Sequence, residues 1–167
     1  MKKIMFVTAF LMQFAIVVYS QSSASHTVRI IAHPILELKL DEQVNNTDFS
    51  FNSLSDYENG KSNIQAAGLK VRSNKNWVLN VKSNSPNFTP SSTGDTDIKS
   101  SALLVRKTGT TINYPLETFE QAIASGKNGG FDSNTVLLDY IANPGYVKPD
   151  SYSIEITYTL STPWFKI

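Results

Sequence analysis

Cysteine is absent from this 167-residue chain, which excludes disulfides, thiolate metal sites and a cysteine nucleophile at once. Charged side chains are scarce, at 17% of the residues, and histidine occurs only twice. Neither H-E-x-x-H nor G-x-S-x-G is present, so the usual zinc-peptidase and serine-hydrolase signatures are missing. No strand-helix-strand rhythm and no fixed-period repeat runs along the chain, which argues against a parallel sheet or a solenoid. Long apolar runs are absent too, with one exception at the very start.

That exception is "MKKIMFVTAFLMQFAIVVYSQSS". Two lysines, an apolar stretch from Ile4 to Tyr19 interrupted by Gln13, and a small polar exit at Ser20-Gln21 are the parts of a secretory signal peptide, and the run is short for a bilayer span. Residues 1–20 are therefore expected to be a signal, and residues 21–167 one exported domain with no membrane span after cleavage. Without Lys2 and Lys3, basic and acidic residues nearly balance, so nucleic acid and anionic membranes are not expected as partners.

What the chain does contain is period-two alternation. It recurs in "TVRIIAH", in "ILELKLD" beyond Pro34, in "NWVLNVKS", "ALLVRK" and "TVLLDYIA", and most regularly in "YSIEITYTLS". Such segments form half-buried strands. Ser73-Asn74-Lys75-Asn76 is placed to turn a hairpin between "NIQAAGLKVRS" and "NWVLNVKSN". The only helical spacing is Leu116, Phe119, Ala122 and Ile123 ahead of Gly126, which predicts one short helix near 116–125. The expected fold is all-β, an antiparallel β-sandwich of about 7–9 strands carrying that one helix, with a small barrel as the alternative.

Chemistry-bearing clusters are few. His26 and His33 lack partners in sequence. Asp95 and Asp97 follow Gly94 and offer carboxylates on a loop, but no glutamate closes a twelve-residue calcium loop, so neither metal nor cofactor is expected. No convergent acid pair suits glycoside hydrolysis, and the chain reads as a non-enzyme. An isopeptide crosslink would need Lys70 or Lys82 buried beside an acid or amide on adjacent strands, and solvated lysines are the simpler reading. Aromatic residues stand out in so polar a chain. Trp164 and Phe165 lie in the tail "STPWFKI", beyond the last regular strand, where they must fold back or meet a partner.

Trp77-Val78-Leu79 and Tyr158-Thr159-Leu160 carry a resemblance to the WxL domain of bacterial cell-surface proteins, the second motif having Tyr in place of Trp. The likeness spans about residues 63–160. It implies noncovalent association with peptidoglycan or a surface protein through Trp77, Leu79, Tyr158 and Leu160. The Ser20-Gln21 junction resembles export signals of Bacteroidota, which implies the surface or periplasm of a bacterium. Alternation places Trp77 with Leu79, and Tyr158 with Leu160, on one face each, so the same four residues equally suit a core. The expected function is a secreted surface-binding module. The alternative is a structural subunit of a surface fibre or coat that self-associates by terminal-strand pairing, suggested by "TVRIIAHPILELKL" and the apolar tail.

Overall fold

The computed structural model describes residues 22–92 and 98–163. The chain divides into two compact units, Met1–Ala32 and His33–Ile167. In the first, residues 22–32 have no regular secondary structure and are exposed. Alternation in "TVRIIAH" thus does not produce a strand there.

The second unit is an antiparallel β-sandwich. Among the described residues its elements are β1 (Leu36–Asn45), the α-helix α1 (Leu54–Asn59), β2 (Lys61–Ser73), β3 (Trp77–Ser83), β4 (Thr89–Pro90), a 3-10 turn at Ser100–Ala102, β5 (Leu103–Lys107), β6 (Tyr114–Pro115), β7 (Gln121–Gly126), β8 (Thr135–Ala142), β9 (Tyr152–Ser153) and β10 (Ile156–Ser161). Three of these strands have only two residues. One sheet has the order β1-β2-β8-β5-β6, the second β10-β3-β7, and β4 pairs with β9 in a small ribbon.

Alternation decides what lies between the sheets. Leu69 and Val71 on β2, Val136, Leu138 and Tyr140 on β8, and Leu103 and Val105 on β5 meet Trp77, Leu79 and Val81 of β3 and Ile123 of β7 in one buried cluster. At roughly 25 cal/mol per Å² of apolar area removed from water, this core supplies the main driving force for folding. On the opposite face of β8, the buried Asp139 accepts from Arg106 Nε and Nη2 at 3.1 and 2.9 Å. It also accepts from the Thr108 hydroxyl and from the backbone N–H of Gln65 at 3.0 Å. Gln65 has φ of 54° where the β2–β8 register slips between Asn63 and Ala67, so one carboxylate neutralises Arg106 and holds a β-bulge in place.

Two further expectations need correction. The helix near 116–125 does not form: residues 121–126 are β7, antiparallel to β3 from Trp77↔Gly126 to Val81↔Gln121. Pairing leaves Ile123 buried and Phe119 exposed, so the apparent helical stripe is divided between core and solvent, and a run of two to three turns has too little local stability to resist a ladder. The helix that does form, α1, starts at a capping box: Ser53 Oγ accepts from the Asp56 N–H, and Asp56 accepts from the Ser53 N–H. Finally, β2 and β3 make no hairpin. They belong to different sheets, because Leu69, Val71, Trp77 and Leu79 bury together only if residues 74–76 carry the chain across the core.

Candidate functional site

The most unusual surface of the sandwich is the inner face of its edge strand β1. Leu36, Leu38 and Leu40 stand opposite Ser73, Val71 and Leu69 of β2. Directly opposed residues in an antiparallel pair point to the same side, and Val71 and Leu69 are in the core. The three leucines therefore point inward. Yet Leu36 is 42% and Leu40 58% exposed. Inward-facing leucines with that much solvent access mean that the facing layer stops short of β1.

The facing layer ends at β10. Its inward residues Ile156, Tyr158 and Leu160 lie opposite Ser83, Val81 and Leu79 of β3, all three of them buried, while every residue of β10 is only half-buried. No strand pairs with the outer edge of β10 among the described residues, and β1 and β10 lie near one another. At this edge, partly exposed apolar side chains of β1 lie beside a backbone edge of β10 that no strand pairs with among the described residues, and an unpaired edge is the kind of surface to which a strand can be added. Tyr158 spans the layers at this edge: its hydroxyl hydrogen-bonds that of Tyr140 on β8. Burial raises the Tyr158 phenol well above the ordinary range, and the neighbouring Tyr140 raises it further. Burial likewise raises Tyr140.

The start of β1 is pinned. Asn74 Nδ2 donates to the His33 carbonyl at 2.7 Å and its Oδ1 accepts from the Ile35 N–H at 2.9 Å, one bond on either side of Pro34. No sequence pattern singled out Asn74 for this role, since the contact joins residues about forty positions apart.

The structure distributes the residues named from the sequence as follows. Trp77, at 3% exposure, and Leu79, at 0%, are core residues. The Trp77 indole N–H donates to the Lys127 carbonyl at 3.0 Å, so neither face nor edge of that ring is open to a ligand. Tyr158 and Leu160 are half-buried and packed on the same core. Trp164, Phe165, Asp95 and Asp97 lie outside the described residues. Among the described residues no group of three or more His, Asp or Glu side chains could hold a metal ion, and no helix is long and apolar enough to cross a membrane. Lys70 forms an ion pair with Asp41 at 2.8 Å.

No family model matches the chain, and no curated protein matches it. Among solved structures, the chain is similar to one from a structure described as a chaperone-usher pilus that reveals the molecular basis of rod uncoiling. Identity is 11% and the TM-score 0.42, over 87% of this chain and 97% of that one. At that identity and score the likeness says nothing of function.

Proposed function

We propose that this protein is a secreted, non-enzymatic structural subunit that polymerises at the cell surface by strand addition. The strand added at the β1–β10 edge is the segment Thr27–Ala32 of a second copy. The observation that carries this reading is the inward yet exposed leucine face of β1 beside the unpaired edge of β10.

Three properties of the segment support it as the occupant. Val28, Ile30 and Ala32 alternate with Arg29 and Ile31, which offers one apolar face to the β1 leucines and a mixed face to the outside. Val28 is 72% and Ile30 87% exposed, so these side chains have burial to gain. The six residues also match the length of β10, about 20 Å at the rise of an extended strand. Backbone bonds to β10 would give affinity, and seating Val28 and Ile30 against Leu38, Leu40, Tyr158 and Leu160 would give register. Because donor and acceptor are different surfaces of one chain, the contact is head-to-tail and grows into a fibre unless rotation closes a ring. The WxL-like reading enters here only in its broad form, as residence on a bacterial surface. Its motif residues Trp77 and Leu79 pack the core of the subunit.

Sedimentation velocity over a hundredfold range of concentration tests the proposal. Oligomers should grow with concentration, disappear in a Val28→Asp/Ile30→Asp variant, weaken in Leu40→Asp, and be capped by excess peptide of residues 24–33. Strict monomers throughout would refute polymerisation. Loss of oligomers on deleting residues 162–167, with the Val28/Ile30 variant still assembling, would refute the N-terminal segment as the donor.

A further inference from the structure

The edge strand β1 carries a backbone ladder of its own, separate from that of β10, and no strand pairs with its outer side among the described residues. The groups that ladder offers follow from the bonds made on its inner side. The Val71 N–H donates to the Asn134 carbonyl at 2.9 Å and the Ser73 N–H to that of Gly129 at 3.0 Å, both on the side of β2 away from β1. Val71 and Ser73 stand opposite Leu38 and Leu36, so these are non-hydrogen-bonded pairs of the β1–β2 ladder. The Asn74 N–H, which donates to the Ile35 carbonyl at 3.3 Å, keeps the same phase. The N–H and C=O groups of Leu36, Leu38 and Leu40 therefore point outward along the open edge. They belong to the residues whose side chains point inward, two of which, Leu36 and Leu40, stay largely in water.

The sequence of this edge is complementary to itself. In "LELKL", residues 36–40, an antiparallel copy centred on Leu38 sets Leu38 against Leu38, Leu36 against Leu40, and Glu37 against Lys39. Directly opposed residues share a side, so the leucines of both copies fall on the inner face and both Glu–Lys pairs on the outer face. Each leucine pair also sits where backbone bonds are exchanged. Centring on Glu37 or on Lys39 instead keeps the leucines inside but opposes like charges, glutamate to glutamate or lysine to lysine. A one-residue slip turns the leucines of one copy to the other face. Charge on an edge strand ordinarily discourages pairing; here it discourages every register but one. Lys39 has a partner to gain, since its direct neighbour on β2 is the like-charged Lys70, which Asp41 engages at 2.8 Å. Glu37 is exposed and reaches Arg72 at 3.3 Å.

We propose that β1 pairs antiparallel with β1 of a second copy about a twofold axis through Leu38, joining two five-stranded sheets into one. A sheet edge takes an extended segment through its backbone and chooses among segments by side chain, and the pattern of leucines and charges on β1 chooses a copy of itself. The contact is isologous, so it closes as a dimer and does not grow. It is one strand long, short of the roughly 800 Å² per partner of a standard interface, so the dimer is weak and forms where copies are crowded. It uses the ladder of β1 and not that of β10, and it does not rest on strand addition.

The test is sedimentation velocity up to about 1 mM, a range suited to a weak contact, on protein carrying Val28→Asp/Ile30→Asp. That background removes the apolar face of the proposed donor segment, so dimers seen in it do not come from strand addition. The expected result is a monomer–dimer equilibrium without larger species. Glu37→Lys alone and Lys39→Glu alone, in the same background, should each weaken the dimer about tenfold by opposing like charges on both sides of the axis. Neither should move the melting temperature much, because both side chains are exposed. Mixing the two single variants should restore a dimer, since each lysine of one chain then meets a glutamate of the other, and the double variant Glu37→Lys/Lys39→Glu should self-associate as its parent does. Monomers throughout at about 1 mM, dimers indifferent to the single reversals, or a mixture that stays monomeric would overturn the inference, whatever the wild type shows of polymerisation.

Discussion

A Cβ added at Gly126 would lie 2.2 Å from Cζ2 of Trp77, a distance no real pair of atoms tolerates. Glycine at 126 is therefore required by the close approach of β7 to the indole rather than by a turn. Trp77→Ala empties the largest side chain of the core and should cost about 3–5 kcal/mol. Gly126→Ala should cost about 1–3 kcal/mol or more through overpacking of the same ring. Urea unfolding of the two variants and the wild type checks both, and a Trp77→Ala cost under about 1 kcal/mol would contradict burial of the ring. Asp139 makes a second prediction at this scale. Burial by itself would raise its carboxyl, but the Thr108 hydroxyl, the Gln65 N–H and the Arg106 guanidinium together hold it below the ordinary value of 3.8. A carboxyl with a depressed folded pKa contributes stability that is present above its unfolded pKa and is lost as pH falls through the folded one. Asp139→Asn should therefore destabilise at neutral pH, by an amount at the lower end of about 3–5 kcal/mol because Arg106 stays partly solvated. The variant should also lose less than the wild type between about pH 5 and pH 2. Thermal melts across that range give both numbers.

Elements owe their places to partners more than to their own composition. Residues 121–126 carry glutamine, two alanines and a glycine, poor strand formers on intrinsic preference, and still form β7 because β3 supplies a ladder and Trp77 a wall. Across the layers, β8 and β10 are tied by the Tyr140–Tyr158 hydroxyl pair. Both phenols titrate above the ordinary value of 10.0, burial being the larger cause in each. Raised folded pKa values contribute stability that is complete below the unfolded pKa and disappears as pH climbs through the folded one. The sandwich should thus weaken above about pH 10. Tyr158→Phe removes one of the two groups and should flatten that alkaline loss. At neutral pH it should cost about 1–3 kcal/mol, because the Tyr140 hydroxyl is left buried without its partner. Denaturant unfolding at pH 7 and pH 11 separates the two effects.

For the molecule as a whole, the proposed assembly is made of backbone bonds and apolar side chains, so screening leaves it intact. Raising salt from about 0.05 to 1 M, which shortens the Debye length to about 3 Å, should not dissolve the oligomers. Dissociation by salt alone would point to charge pairing instead. In the proposed assembly a subunit without disulfides would gain stability from the polymer, since each added strand would cover leucines that the isolated sandwich leaves in water.

Local alternation was enough to read β3, β5 and β8 as strands and to say which of their residues share a face, because side chains in a strand alternate with a period of two. The all-β class followed from the same pattern, and the lack of cysteine settled by composition alone that no disulfide contributes. Other features depended on residues far apart in the chain. Whether Trp77 faced a ligand or the core was undecidable from "NWVLN", since both readings put Trp77 and Leu79 on one side; the second sheet and Gly126 placed them inside. The strand at 121–126, the crossing of residues 74–76 between sheets, the Asp139 knot and the Asn74 clamp all depend on contacts between segments about thirty to seventy-five positions apart or between different sheets. The β1–β10 edge is of the same kind. "ILELKL" already named Leu36, Leu38 and Leu40 as one apolar face, but only packing the two sheets showed that the layer opposite ends at β10 and leaves that face open. Periodicity reports which residues share a face, and burial depends on what the rest of the chain brings to cover it.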